Sequence, residues 1–205
     1  MKKLLPIISA SLLILLLFLG GEAAARALEF NRNESGVGAV LRLFSCNLVH
    51  FDASHLLWDV GALTVLCLAL AHYAPSMLKI SLAMALPTIA LAVYSSDYTI
   101  YRGVSGIDSA LFGTLTAVLL ARSWKRRDKL AFGAVLVGAL GFVGKLVIEV
   151  VTRVPVFAAQ AGYEPASGVH LAAFIAGASA APIAVAVEYL RGIWYANTLN
   201  TKEIG

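Results

Sequence analysis

Apolar blocks about 15–22 residues long recur along this chain, the length a helix needs to cross a hydrocarbon layer about 30 Å thick. They occupy residues 4–20, 55–71, 77–93, 105–120, 130–151 and 169–189. Of the 205 residues, 60% are hydrophobic and 14% charged, whereas soluble domains average about 45–50% apolar and about 25% charged. The excess apolar content lies in the blocks, not between them. An all-α membrane protein is therefore expected, with residues 1–205 forming a single six-transmembrane-helix bundle. Pro75 and Pro87 punctuate the second and third blocks, and Pro155, Pro165 and Gly168 bound the connection before the sixth. No internal repeat, low-complexity tract or linker divides the chain.

The formal charge of +4 does not point to nucleic acid, because the basic residues sit between apolar blocks, where they act as topology signals. Lys2 and Lys3 precede the first block. Arg122, Lys125, Arg126, Arg127 and Lys129 follow the fourth, and Arg191 and Lys202 follow the sixth. With six spans, all three clusters fall on one side, so both termini are expected in the cytoplasm, with the membrane a bacterial inner membrane. The first block also resembles a cleavable signal peptide through Lys2-Lys3 and the small residues Ala23 to Ala27. Its apolar core of about 17 residues exceeds the usual 7–15 of such peptides, which favours retention. Cleavage would leave five spans.

Residues 21–54 form a long connection on the outer side, and long loops are often functional. Within it, "AVLRLFSCNLVH" is amphipathic and is expected at the membrane interface. Cys46 and Cys67 offer no disulfide framework.

Polar groups at membrane depth are expensive and mark function. Lys145 and Glu149, spaced i,i+4, read as a structural ion pair. His50, His55 and Asp59 lie near the outer end of the second helix, Ser105 and Asp108 at that of the fourth, and His170 at that of the sixth. Three helix ends thus carry polar residues at one depth. Four chemistries use such a set. A zinc site would recruit His50, His55, Asp59 and His170, but the histidine spacing is not that of HExxH, so no metal is expected. A proton-coupled transporter would use Asp59, Asp108 and Glu149 as a relay, and a structural polar network is the third possibility. The fourth pairs Ser105 as nucleophile with His170 as base.

The glycines favour the fourth. Gly103 and Gly106 flank Ser105 and clear space for a substrate carbonyl. Ser105 opens a helix, where unpaired backbone N–H groups can face a developing oxyanion. Ser109 and Gly113 on the fourth helix, and Ala173 and Gly177 on the sixth, form small-xxx-small patterns that let backbones approach and bring Ser105 towards His170.

These stretches resemble the rhomboid family of intramembrane serine proteases. "GVSG" matches the family's GxSG, "HFDASHLLWD" its HxxxxHxxxN pattern and "HLAAFIAG" its HxxGxxxG pattern, in the family's order and on the expected helices. Within the family, "YRGVSG", "RLFSCNLVHFDASHLLWD" and "GKLVIE" look most like rhombosortases. The resemblance implies a serine endopeptidase without cofactor, active near the outer face. Its partners are the lipid bilayer and membrane-anchored substrates carrying Gly-Gly, an apolar helix and a basic C-terminal tail. It makes Ser105 the nucleophile and His170 the general base. His55, the Asp59 position and backbone N–H groups at the serine stabilise the oxyanion, and His50 supports them.

Three departures qualify the resemblance. Asp59 stands where the family has asparagine, and an ionised carboxylate only accepts hydrogen bonds. It is either protonated or orients His55 while His55 donates; the i,i+4 spacing favours the second. Ser109 replaces a tyrosine that packs near the catalytic histidine, leaving Asp108 either to orient His170 or simply to face water. Ala173 replaces the first glycine of HxxGxxxG. The alternatives to a peptidase are a catalytically inactive rhomboid-like binding protein and a proton-coupled transporter.

Overall fold

The computed structural model describes residues 5–154, 156 and 165–200; Lys2, Lys3 and Lys202 of the expected topology signals lie outside them. The chain forms α1 (Leu5–Leu19), α2 (Gly21–Leu28), β1 (Phe30–Asn31), α3 (Val37–Ser45), a 3₁₀ turn (Cys46–Leu48), α4 (Ala53–Tyr73), α5 (Pro75–Ser95), β2 (Ile100–Tyr101), α6 (Ser105–Arg126), α7 (Lys129–Thr152) and α8 (Ser167–Asn200). Each expected apolar block lies in a helix, but α6 and α8 run beyond the apolar residues. Lys125 and Arg126 occupy the last turn of α6, where cations favour the helix dipole.

Local chemistry sets the boundaries. The Asp52 side chain accepts the His55 N–H at 2.9 Å and caps α4. Asp128 accepts from the Ala131 N–H at 3.0 Å and caps α7. Pro75 takes the first turn of α5, a place where its missing N–H costs nothing. Arg127 turns left-handed with φ 56°, and the amide of Asp128 returns to the Ser123 carbonyl at 3.0 Å, closing α6 before α7 begins.

Burial is inverted relative to a soluble protein. α6 buries Asp108, Ser109, Thr114, Thr116 and Ser123 among its packed residues. By contrast, α7 buries only Ala139, Leu146 and Glu149, while Leu130, Val137 and Val151 are 86%, 70% and 77% exposed. A polar centre within an apolar rim suits lipid as solvent. Among the described residues three helices, α4, α5 and α7, are long and apolar enough to cross a membrane; the pair α1 and α2, bent by 116°, adds a fourth if it is one span. The protein is thus a mostly helical membrane protein, with one two-residue antiparallel pair among the described residues, Phe30 opposite Tyr101 and Asn31 opposite Ile100.

The tightest contact joins α6 and α8. A Cβ added at Gly177 would lie 1.8 Å from the Ala110 carbonyl oxygen, and one at Gly113 2.2 Å from that of Phe174. The two backbones touch, as small residues permit. The Thr114 hydroxyl, fully buried, lies 2.8 Å from the Ser81 hydroxyl of α5, 3.0 Å from the Ala110 carbonyl and 2.9 Å from the Gly177 carbonyl. One hydroxyl therefore ties three helices at their closest approach.

Gly177→Ala must push α8 from α6 and is expected to destabilise by about 1–3 kcal/mol, as overpacking does. Gly144→Ala on α7, where a Cβ meets nothing within 4 Å, is expected to be neutral or to stabilise by up to about 1 kcal/mol. Denaturation in detergent compares the two, and equal effects would contradict the close crossing.

Candidate active site

Ser105 is the first residue of α6. Asp108 is the first α6 residue whose amide reaches back a full turn, to the Val104 carbonyl at 3.1 Å. The amides of Ser105, Gly106 and Ile107 therefore precede the helix's own bonding, leaving donors at the N-terminus. His170 lies in the first turn of α8, its own amide bonded to the Ala166 carbonyl at 3.0 Å. The Ser105 Oγ and His170 Nε2 are 2.9 Å apart, within the reach that a nucleophile and its base require. The close crossing at Gly113 and Gly177 brings these two helix starts together.

Gly103 takes φ 126°, a conformation L side chains rarely adopt. A Cβ there would stand 2.8 Å from the His55 ring and 3.2 Å from Asp59 Oδ2. Glycine is thus required twice, by conformation and by contact. At Gly106 a Cβ would meet Ile89 and the Tyr101 hydroxyl, each at 3.1 Å, so this glycine also backs onto packed neighbours.

Asp59 is buried, with Oδ2 3.3 Å from His50 Nε2 and 3.2 Å from His55 Nε2. One carboxylate oxygen lies between two imidazoles, which pairs Asp59 with His55, as the i,i+4 spacing suggests, and with His50 as well. His50 packs edge-on to His55, ring centroids 5.1 Å apart. With His55 Nε2 turned to Asp59, its Nδ1 donates only when the ring carries both protons.

Asp108 makes no hydrogen bond to His170. It is 8% exposed, and neither carboxylate oxygen has a hydrogen-bond partner among the described residues. Three residues at about 100° each place it about 60° around the helix from Ser105, towards α4 and away from α8. It neither orients His170 nor faces open water.

Lys145 and Glu149 pair at 2.9 Å, as expected from spacing. Glu149 does more, accepting from the Ser167 hydroxyl at 2.7 Å and from the Val156 amide at 2.9 Å. It anchors the start of α8 one turn before His170. The Tyr98 hydroxyl donates to the Pro165 carbonyl at 3.0 Å, holding the same approach from the other side.

Residues that sequence reasoning missed cluster just before the serine. Tyr101 is buried with its hydroxyl near Ser105, and burial pushes its phenol well above the usual range. Arg102 meets Glu22 and Glu29 of the long connection. Cys46, its thiol pushed up to about 12 by burial, presents its backbone instead: its carbonyl accepts from the Gly103 amide at 3.1 Å. The quoted stretch "YRGVSG" contained two of these residues, but nothing in a sequence period assigns them partners.

Among the described residues, no group of three or more His, Cys, Asp and Glu side chains is placed to hold a metal ion. An apolar cleft of about 320 Å³ opens along α6 about two to four turns beyond Ser105, between Phe112 and Leu119 on one side and Ala134 and Gly138 of α7 on the other. No protein-family model matches the chain, and no curated protein matches its sequence.

Glu22 lies on α2, which is bent by 116° from α1. Its hydrogen bond from Arg102, then that from Arg26, lowers its carboxyl from 4.5 to about 2. A lowered carboxyl adds stability that is complete above 4.5 and is lost as pH falls towards 2. Between those limits the thermal midpoint of wild type should fall more steeply than that of Glu22→Gln. Coincident acid profiles would show that the contact adds nothing.

Proposed function

We propose that this chain is an intramembrane serine endopeptidase resembling rhomboids, cleaving membrane-anchored protein segments near the outer face of a bacterial inner membrane. The observation that carries the reading is the 2.9 Å approach of Ser105 Oγ to His170 Nε2 at two adjoining helix starts. In this reading α1 and α4 to α8 form a six-span bundle with cytoplasmic termini. Ser105 Oγ attacks the scissile carbonyl while His170 Nε2 takes its proton. The amides at the start of α6, with His55 as a further donor, meet the oxyanion. The tetrahedral intermediate collapses as the C–N bond breaks and His170 returns the proton to the leaving amine. Water, or another amine, then releases the acyl group from Ser105. The rhombosortase-like stretches favour substrates with Gly-Gly, an apolar helix and a basic tail.

A non-catalytic rhomboid-like binding protein is the second reading. Asp59 favours it by engaging the His55 Nε2 proton that an oxyanion would use. A fluorophosphonate separates the two: the purified wild type should label at Ser105, and Ser105→Ala should fold, insert and neither label nor process substrate. A folded wild type that stays unlabelled selects the binding protein.

Asp59→Asn keeps a hydrogen-bonding group against both histidines and should retain appreciable activity. Asp59→Ala should lose about 10²-fold, the scale of one oxyanion-site donor. Undiminished processing by both variants would remove Asp59 from the site.

A further inference from the structure

Arg102 immediately precedes Gly103, and its side chain runs away from the dyad into the long connection. Its Nε donates to Glu29 Oε2 at 2.6 Å. Nη1 and Nη2 donate to the two oxygens of Glu22 at 3.1 and 2.8 Å. The pair with Glu22 is a two-point fork, the geometry in which a guanidinium fixes direction as well as distance. Side-chain exposure is 6% for Arg102 and 5% for Glu29, against 55% for Glu22. The guanidinium also lies 5.1 Å from the centroid of the Phe51 ring, which stacks on His55 at 6.0 Å and 12°.

The backbone on either side is held too. Tyr101 pairs with Phe30, one residue after Glu29, and the Gly103 amide is bonded to the Cys46 carbonyl. The Gly103 conformation, which turns the chain into α6, is thus gripped from three directions by the segment between α1 and α4. Burying an arginine is expensive unless it is fully paired, and here the pairing is complete, with one buried carboxylate, Glu29, and one exposed carboxylate, Glu22.

We infer that Arg102 is a positioning residue: clamped by Glu22 and Glu29, it holds the Gly103 turn so that the Ser105 hydroxyl and the first α6 amides face the substrate carbonyl together. The inference rests on the peptidase reading for its chemistry and on the clamp geometry alone for its structural part.

The test uses the full-length protein in nanodiscs with two readouts. One is fluorophosphonate labelling of Ser105, resolved into a saturating concentration and a maximal rate. The other is hydrogen–deuterium exchange of residues 101–107. Arg102→Gln should lower the maximal labelling rate about tenfold or more with little change in saturation, as small misplacements of a nucleophile do. Exchange at 101–107 should rise. Arg102→Lys, keeping charge without the fork, should fall between the two. Glu22→Gln, a surface change, should slow labelling by about threefold. It also covers the case in which Arg102→Gln fails to fold. Labelling and exchange at wild-type levels in whichever of these variants fold would overturn the clamp. If the wild type does not label, the peptidase reading fails, while exchange still decides whether Arg102 holds the turn.

Discussion

Everything at the dyad depends on two helices whose main chains touch. At Gly113 and Gly177 there is no room for a methyl group, so α6 and α8 approach as closely as backbone allows. In lipid no hydrophobic force pushes apolar helices together, so contact of this kind, with the hydrogen bonds it permits, must do so. The hydroxyl of Thr114 works because the crossing is close: it reaches a carbonyl on its own helix, a carbonyl on α8 and a hydroxyl on α5 at once. The crossing point lies two turns from Ser105 and two turns from His170. A small change in its angle is magnified at the helix starts, where the 2.9 Å approach is set.

Around that rigid centre the support is layered by charge. Glu149 on α7 holds the entry of α8 through Ser167. Asp59 on α4 holds two histidines beneath Gly103. Glu22 and Glu29 hold the strand that leads into α6. Each of these carboxylates has a basic or hydroxyl partner. Asp108, buried in the same region, has none among the described residues. A buried carboxyl without a partner is destabilising. It sits in the first turn of α6, where the helix dipole favours an acid.

The helices were legible because membrane thickness imposes a length, and length survives in a linear pattern. Apolarity marked where a helix enters lipid but not where it ends: α6 continues to Arg126, its charged last turn being good helix and poor lipid-phase sequence. The dyad was legible for a related reason. Ser105 and His170 each begin a helix whose following residues are small at one-turn spacing, and close crossing is a property of that spacing. The clamp on Arg102 was not legible. Its partners lie 73 and 80 positions away, and ion pairing has no period. The two-residue strands are too short to show alternation. The placement of Asp108 turned on about 60° of helix rotation, which spacing alone does not translate into a neighbour without knowing which helix stands there.

The short helix α3 carries a row of uncovered side chains, Val37, Val40, Leu41 and Phe44, each at least 45% exposed. Such a face suits the headgroup layer of a bilayer. Ser45 at its end bonds to the Leu28 carbonyl, and the next residue, Cys46, holds the Gly103 amide. The helix is therefore moored to the Gly103 turn: in a bilayer, lipid packing that lifts or tilts it pulls on that mooring. On the proposed peptidase reading, the packing of the bilayer thus acts on the turn before Ser105 as well as solvating the helices.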